Sequence, residues 1–181
     1  MSAAPRAPEP LERHEVTIRY LEQTSPRAQT PLPRPGRALA LMRAEKPHPD
    51  FYRFLFNGVG EPHRWISRRY MNDEALRKHT DDPQTYIYVL YAEGSPAGFG
   101  EIDARKDGEA AIKFFGLFPH MQGQRLGRWF FREITELAWQ LRRGRVIIET
   151  CTLDNPRALQ LYQREGFTIY DQAKGLIEWR G

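Results

Sequence analysis

Leu117-Phe118-Pro119-His120-Met121-Gln122-Gly123-Gln124-Arg125-Leu126-Gly127-Arg128 is the stretch from which the fold can be read. Before it, residues 110–118 form a run of β-formers. After it, Leu126, Trp129, Phe130, Ile134, Leu137 and Leu141 recur at helical spacing and define one apolar face. Arg142 and Arg143 suit the last turn of that helix, and Gly144 ends it. Residues 145–152 read as another strand, with Val146 and Ile148 on one face and Ile147 on the other. A strand, a helix and a strand in succession imply a right-handed crossover between parallel neighbours.

Outward from this unit the pattern changes period. Residues 85–91, 97–104 and 110–118 are three strands, joined by the turn Glu93-Gly94-Ser95-Pro96 and by the hairpin signal Asp107-Gly108. On the C-terminal side, Asn155-Pro156 starts a short helix, with Asn155 as cap and Pro156 at the first position. Gly166 stops it, and residues 167–170 begin a final strand. On the N-terminal side, residues 50–57 have helical apolar spacing and Gly58-Val59-Gly60 stops them; a second helix begins at Asn72-Asp73-Glu74, with Asn72 as cap. Residues 37–43 and 16–21 are strands, separated by a connection over 25–36 that holds Pro26, Pro31, Pro33 and Pro35. Residues 1–14 read as a flexible tail and 15–181 as a single domain. The fold class is α+β, a mixed α/β sheet that is mostly antiparallel.

Composition narrows the function. At 181 residues with 40% apolar content, the chain suits one core. Its 10 Phe, 8 Tyr and 4 Trp argue against disorder. A net charge of +4 fits a phosphate-bearing small molecule and is too weak to argue for nucleic acid. One cysteine, Cys151, permits no intramolecular disulfide, which favours a reducing, cytoplasmic setting. No apolar run is long enough for a membrane span, and no histidine pair has metal-ligand spacing with an acid, so neither a membrane nor a metal is expected.

Two segments could carry chemistry. The turn over residues 117–128 offers helix N-terminal amides without intrahelical partners, with Gly123 and Gly127 leaving room and Arg125 and Arg128 adding charge. An ordinary strand-to-helix turn would look the same. It is neither a Walker loop nor a dinucleotide fingerprint. In the second segment, Tyr162 follows Asn155 by two helical turns, where a phenol could give up a proton. A half-buried packing tyrosine would also fit.

Taken together the two segments resemble the GNAT superfamily of acyl-CoA-dependent N-acetyltransferases, over residues 85–170. That family's Gln/Arg-x-x-Gly-x-Gly/Ala falls on Gln122-Gly123-Gln124-Arg125-Leu126-Gly127, with Arg125 where glycine is usual. Its Asn-x-x-Ala-x-x-x-Tyr-x-x-x-Gly-Phe is matched by Asn155, Ala158, Tyr162, Gly166 and Phe167. The resemblance implies acetyl-CoA as cosubstrate and a parallel pair that splays apart. The pantetheine would pair near Leu117, and the pyrophosphate would sit on the N–H groups of Gln122, Gly123, Gln124, Arg125, Leu126, Gly127 and Arg128. Asn155 would touch the pantetheine region, and Tyr162 would protonate the departing thiolate. An amine of a small molecule or peptide would attack the thioester directly, so Cys151 reads as a packing residue. Many members carry a basic Glu where this chain has Ala111; Glu101, Asp103, Glu149 or a water relay are the alternatives. The acceptor pocket would lie over residues 52–70, including Phe56, Glu61, His63, Trp65, Arg68 and Arg69, with His63 and His120 read as surface histidines. A catalytically silent acyl-CoA-binding regulatory module is the other reading. Dimers are common in that family, so a homodimer stays open.

Overall fold

The computed structural model describes residues 11–27, 32–142 and 144–180. Among these the chain forms seven strands and four α-helices in the order β1 (Glu12–Gln23), β2 (Leu39–Arg43), α1 (Pro49–Gly60), α2 (Asp73–Thr80), β3 (Thr85–Ala92), β4 (Ser95–Asp103), β5 (Glu109–Leu117), α3 (Leu126–Leu141), β6 (Arg145–Cys151), α4 (Ala158–Arg164) and β7 (Thr168–Trp179). The strands make one sheet in the order β2-β3-β4-β5-β6-β1-β7. Every pair is antiparallel except β5 with β6, as the crossover through α3 requires. No helix of the described residues is long and apolar enough to cross a membrane.

Helices cover both faces because strand side chains alternate. On one face, Phe130, Phe131, Ile134 and Ala138 of α3 pack with Ile102, Ile112 and Ile148 of the sheet and with Tyr162 of α4. On the other, Tyr52, Leu55 and Phe56 of α1 and Leu76 of α2 pack with Ile87, Val89 and Phe99. Each such side chain contributes about 1.5–3 kcal/mol by leaving water.

Several sequence expectations shift. The tail expected over residues 1–14 does not hold at Glu12, Arg13 and His14, which already pair with Trp179, Glu178 and Ile177 of β7. These residues are polar, so no alternation marked them; Arg13 meets Glu178 at 2.9 Å instead. Residues 1–10 and 28–31 of the expected tail and connection, and Arg143, lie outside the described residues. The glycines expected to stop α1 lie within it. A Cβ on Gly58 would fall 2.2 Å from the Phe118 ring and one on Gly60 2.4 Å from Trp65, so close packing accounts for both. Asn72 caps α2 as expected, its Oδ1 accepting from Ala75 N at 2.9 Å. Asn155 does not cap α4; it heads a turn two residues earlier, its Oδ1 accepting from Arg157 N. The final strand continues nine residues beyond Tyr170, to Trp179. It was invisible because it is an edge strand with mostly exposed, polar side chains.

Candidate active site

The parallel pair is short. β5 and β6 pair from Glu109 with Arg145 to Ile112 with Ile148, and no further. The next residue, Lys113, is extra in its strand: Ile102 of β4 faces Ile112, and Glu101 faces Phe114. A bulge of this kind bends its strand. It also lets Phe115 join Ile112 in the cluster with α3 while Phe114 packs toward α1. Beyond the bulge, residues 113–117 and 149–151 part, and a cavity of about 760 Å³ lies there, lined by groups from both strands.

At one end of the cavity the backbone supplies polar groups beside polar side chains. The chain leaves β5 through a 3-10 turn, Pro119–Met121, and enters α3 with no side-chain cap. Uncapped N–H groups at a helix start favour an anion. Gly123 has φ +75° and Arg125 φ +61°, both in the left-handed region. Arg125 thus takes the shape that a glycine would take at this position, at a cost of about 1–2 kcal/mol for an L-residue.

The structure brings most of the expected residues together. Leu117, Gln122, Gly123, Arg125, Gly127, Arg128, Asn155 and Tyr162 line the cavity. Two side chains do not. Leu126 is fully buried in the core. Gln124 accepts from Arg37 Nη1 at 2.6 Å and donates to His120 O at 2.8 Å. What these two can offer a ligand is their backbone. The Arg128 guanidinium is also committed, to Glu165 at 2.5 Å, and Arg132 holds the other oxygen of that carboxylate. Burial pushes the Glu165 carboxyl up, but the two guanidiniums outweigh it and hold it below the usual range.

Tyr162 is 6% exposed, its ring 4.7 Å from that of Phe131. Burial, and then the Asp154 carboxylate, push its phenol well above the ordinary tyrosine value. It therefore stays protonated at neutral pH and has a proton to give. Its helix is held from the N-terminal strand: Gln23, itself buried, donates to Glu165 O at 2.8 Å and accepts from Trp139 Nε1 at 2.6 Å. Across the cavity mouth, Asn155 Nδ2 donates to Gln122 Oε1 at 3.3 Å.

At the other end the wall is made of side chains. His63, Arg64, Trp65, Ile66 and Ser67 line it, with Ile18 of β1 and Ile177 of β7. Of the expected pocket over residues 52–70, Tyr52 and Phe56 are instead core residues. Arg69 lies with its guanidinium 4.3 Å from the Trp179 ring centroid. Two contacts tie this wall to the turn after β6. His63 Nδ1 lies 3.2 Å from Leu153 O, and Trp65 Nε1 donates to Asp154 Oδ1 at 3.2 Å. Asp154 Oδ2 accepts from Thr150 Oγ1 and from Cys151 N, each at 2.8 Å. Burial, then Asp154, raise the Cys151 thiol, which suits packing rather than nucleophilic chemistry.

The alternative bases divide. Glu101 is 1% exposed and faces α1, accepting from Tyr52 Oη at 2.5 Å and Arg68 Nη2 at 3.3 Å. Burial pushes its carboxyl up, against the pull of Arg68 and Tyr52. Arg68 lies one residue beyond the wall segment 63–67, so this pair anchors the wall to the sheet. Asp103 is paired with Arg105 at 2.5 Å. Of the three, only Glu149 lines the cavity. Nothing local in the sequence marked Ile18, Gln23 or Ile177, which reach the site from distant strands, or Asp154, which sits beside Asn155 but whose partner Trp65 lies 89 residues away.

Residues 48–167 match the family described as Acetyltransferase (GNAT) family. No curated protein matches the sequence. Among solved structures, an aminoglycoside acetyltransferase from an uncultured soil metagenomic sample, in complex with trehalose, has TM-score 0.54 at 20% identity, over 71% of this chain and 87% of that one. A GCN5-related N-acetyltransferase from Kribbella flavida has TM-score 0.60 at 14% identity, over 92% of this chain and 60% of that one. One from Sphaerobacter thermophilus has TM-score 0.59 at 15% identity, over 96% of this chain and 52% of that one. At these identities the likeness is one of fold.

Proposed function

The chain belongs to the acetyltransferase (GNAT) family, and from that premise we propose that it moves an acetyl group from acetyl-CoA to a primary amine of a small molecule or peptide. The observation that carries this reading is the parting of β5 and β6 at the Lys113 bulge, beside the uncapped start of α3. A free strand edge suits the amides of pantetheine, and a helix start suits a diphosphate. In this reading the diphosphate rests on the N–H groups of residues 122–128, and the arm runs along residues 113–117. Arg125 and Arg157, which line the cavity, add positive charge nearby.

The amine nitrogen attacks the thioester carbonyl carbon, the carbonyl oxygen becomes an oxyanion, and a backbone N–H near Leu117 stabilises it. The carbon–sulfur bond then breaks. The thiolate takes the phenolic proton of Tyr162, which the phenol carries at neutral pH. The nitrogen sheds its surplus proton, the phenolate regains one from solvent, and the products are the N-acetyl amine and free CoA.

The test is release of CoA thiol when the protein meets acetyl-CoA and a panel of primary amines, including aminoglycosides, amino acids, polyamines and short peptides. Release with at least one amine is expected. Acetyl-CoA binding by calorimetry with no release on any amine would instead favour the regulatory module that the alanine at position 111 leaves open.

A further inference from the structure

An amine held as its ammonium cannot attack a thioester, and a lysine-like amine has an ordinary pKa of about 10.4. Some group must therefore take its proton. Position 111, on β5, is an alanine, and Glu101 is locked beneath α1 away from the cavity lining. Asp154 lines the cavity with both carboxylate oxygens engaged, one by Trp65 and the other by Thr150 and Cys151 N.

We propose that His63 is the base that takes the acceptor's proton; this rests on the acetyl-transfer reading above. His63 lines the cavity, and its Nδ1 lies 3.2 Å from Leu153 O. A carbonyl oxygen only accepts, so Nδ1 carries the hydrogen. In the neutral ring Nε2 is then the lone-pair nitrogen, which is the form a base needs. The bond to Leu153 also fixes the ring plane. Leu153 precedes Asp154, the residue whose charge acts on the Tyr162 phenol. Trp65, two residues after His63, grips Asp154 itself. The base and the acid are thus each linked to one turn, residues 152–157, His63 by its contact with Leu153 and Tyr162 by the charge of Asp154. The charged groups on the imidazole's own segment are Glu61 and Arg64; Asp154 lies on the turn it contacts, and Lys113 and Glu149 on the two parting strands line the same cavity. Histidine is the side chain that most often serves as a general base.

Two measurements test this. The first needs no turnover: nitrogen-detected NMR of the imidazole in the full chain. The Nδ1–H tautomer is expected, and an Nε2–H tautomer would overturn the proposal. The second is the pH dependence of kcat/KM for an amine found active. His63→Gln, whose amide can still donate to Leu153 O, should lower kcat by about 100-fold or more while leaving KM for acetyl-CoA unchanged. It should also remove the acidic limb of the profile, and its defect should shrink for a weakly basic amine that is already neutral. In Glu149→Gln the limb should remain. A limb that survives in His63→Gln, or that vanishes in Glu149→Gln instead, would overturn the role of His63 and leave the transfer reading intact. Acetyl-CoA binding without CoA release on any amine would defeat both.

Discussion

At the β5–α3 end of the cavity the polar groups include the backbone amides of a helix start shaped by two left-handed residues, Gly123 and Arg125. At the residue 61–72 end they are side chains, held by His63, Trp65 and Arg68 to partners on distant strands and turns. Backbone recognition needs particular φ angles and close approach, so it restricts residue type and leaves a motif. A side-chain wall needs only that its groups be brought together, and many sequences can do that. The first end suits a ligand of constant chemistry, and the second can differ from one protein to the next.

The sharpest break between the two ends should come from Arg68→Ala. It leaves the Glu101 carboxyl buried without its cation, which costs about 3–5 kcal/mol in a well-buried pair. A fall in Tm and in the denaturant midpoint is the measurement. Loss of the acceptor-side wall should raise KM for the amine more than Kd for acetyl-CoA. Equal losses at both ends would mean that the cavity is one mechanical unit. Next is Tyr162→Phe, with kcat lowered about 100-fold, roughly 2.7 kcal/mol, and acetyl-CoA affinity little changed. Full activity in that variant would remove the proton-donor role.

Glu165 joins the donor-side helices through charge. Its folded-state pKa is depressed, so its contribution is present above the unfolded carboxylate value of about 4.3 and is lost as pH falls through the folded-state value. The stability gap between the natural chain and Glu165→Gln should therefore be widest near neutral pH and close in acid. Thermal melts from pH 7 down to about pH 3 read this directly. Trp65→Phe removes one hydrogen bond to Asp154 and keeps most of the ring, for about 1 kcal/mol. Its signature is a raised KM for the amine, with acetyl-CoA affinity unchanged. The smallest effect is expected from Arg125→Gly. It relieves a left-handed residue by about 1 kcal/mol and removes one charge, so acetyl-CoA affinity should stay within about 3-fold. A large loss there would mean that the guanidinium, rather than the loop shape, recognises the ligand.

Much of the architecture was legible because periodicity is a local property. The meander, α3 and β6 follow from the alternation and spacing of their apolar residues, and the parallel pair follows from the crossover. Legibility failed where side chains carry no burial pattern. The start of β1 and most of β7 are polar or exposed, yet the backbone pairs them over eleven positions from Glu12 with Trp179 to Glu22 with Thr168. The site divided in the same way. Gln122, Gly123, Gly127, Asn155 and Tyr162 could be picked out by motif. Asp154, Gln23 and Ile18 could not, since their importance lies in partners 89 residues away for Asp154 and 142 for Gln23.

The sequence by itself determined the α+β class, the order of the central elements, the turn before α3, the tyrosine of α4, and the family. Only the tertiary structure decided three further things. It inserted β1 between β6 and β7, where its Gln23 holds the end of α4. It ended the parallel pairing at a one-residue bulge, opening the cavity. It also sorted the acids, burying Glu101 under Arg68 while His63 and Glu149 line the cavity. The physical reason is one of range. Spacing along the chain sets which face of an element is apolar, whereas strand register, burial and hydrogen-bond partners depend on what the rest of the chain brings alongside.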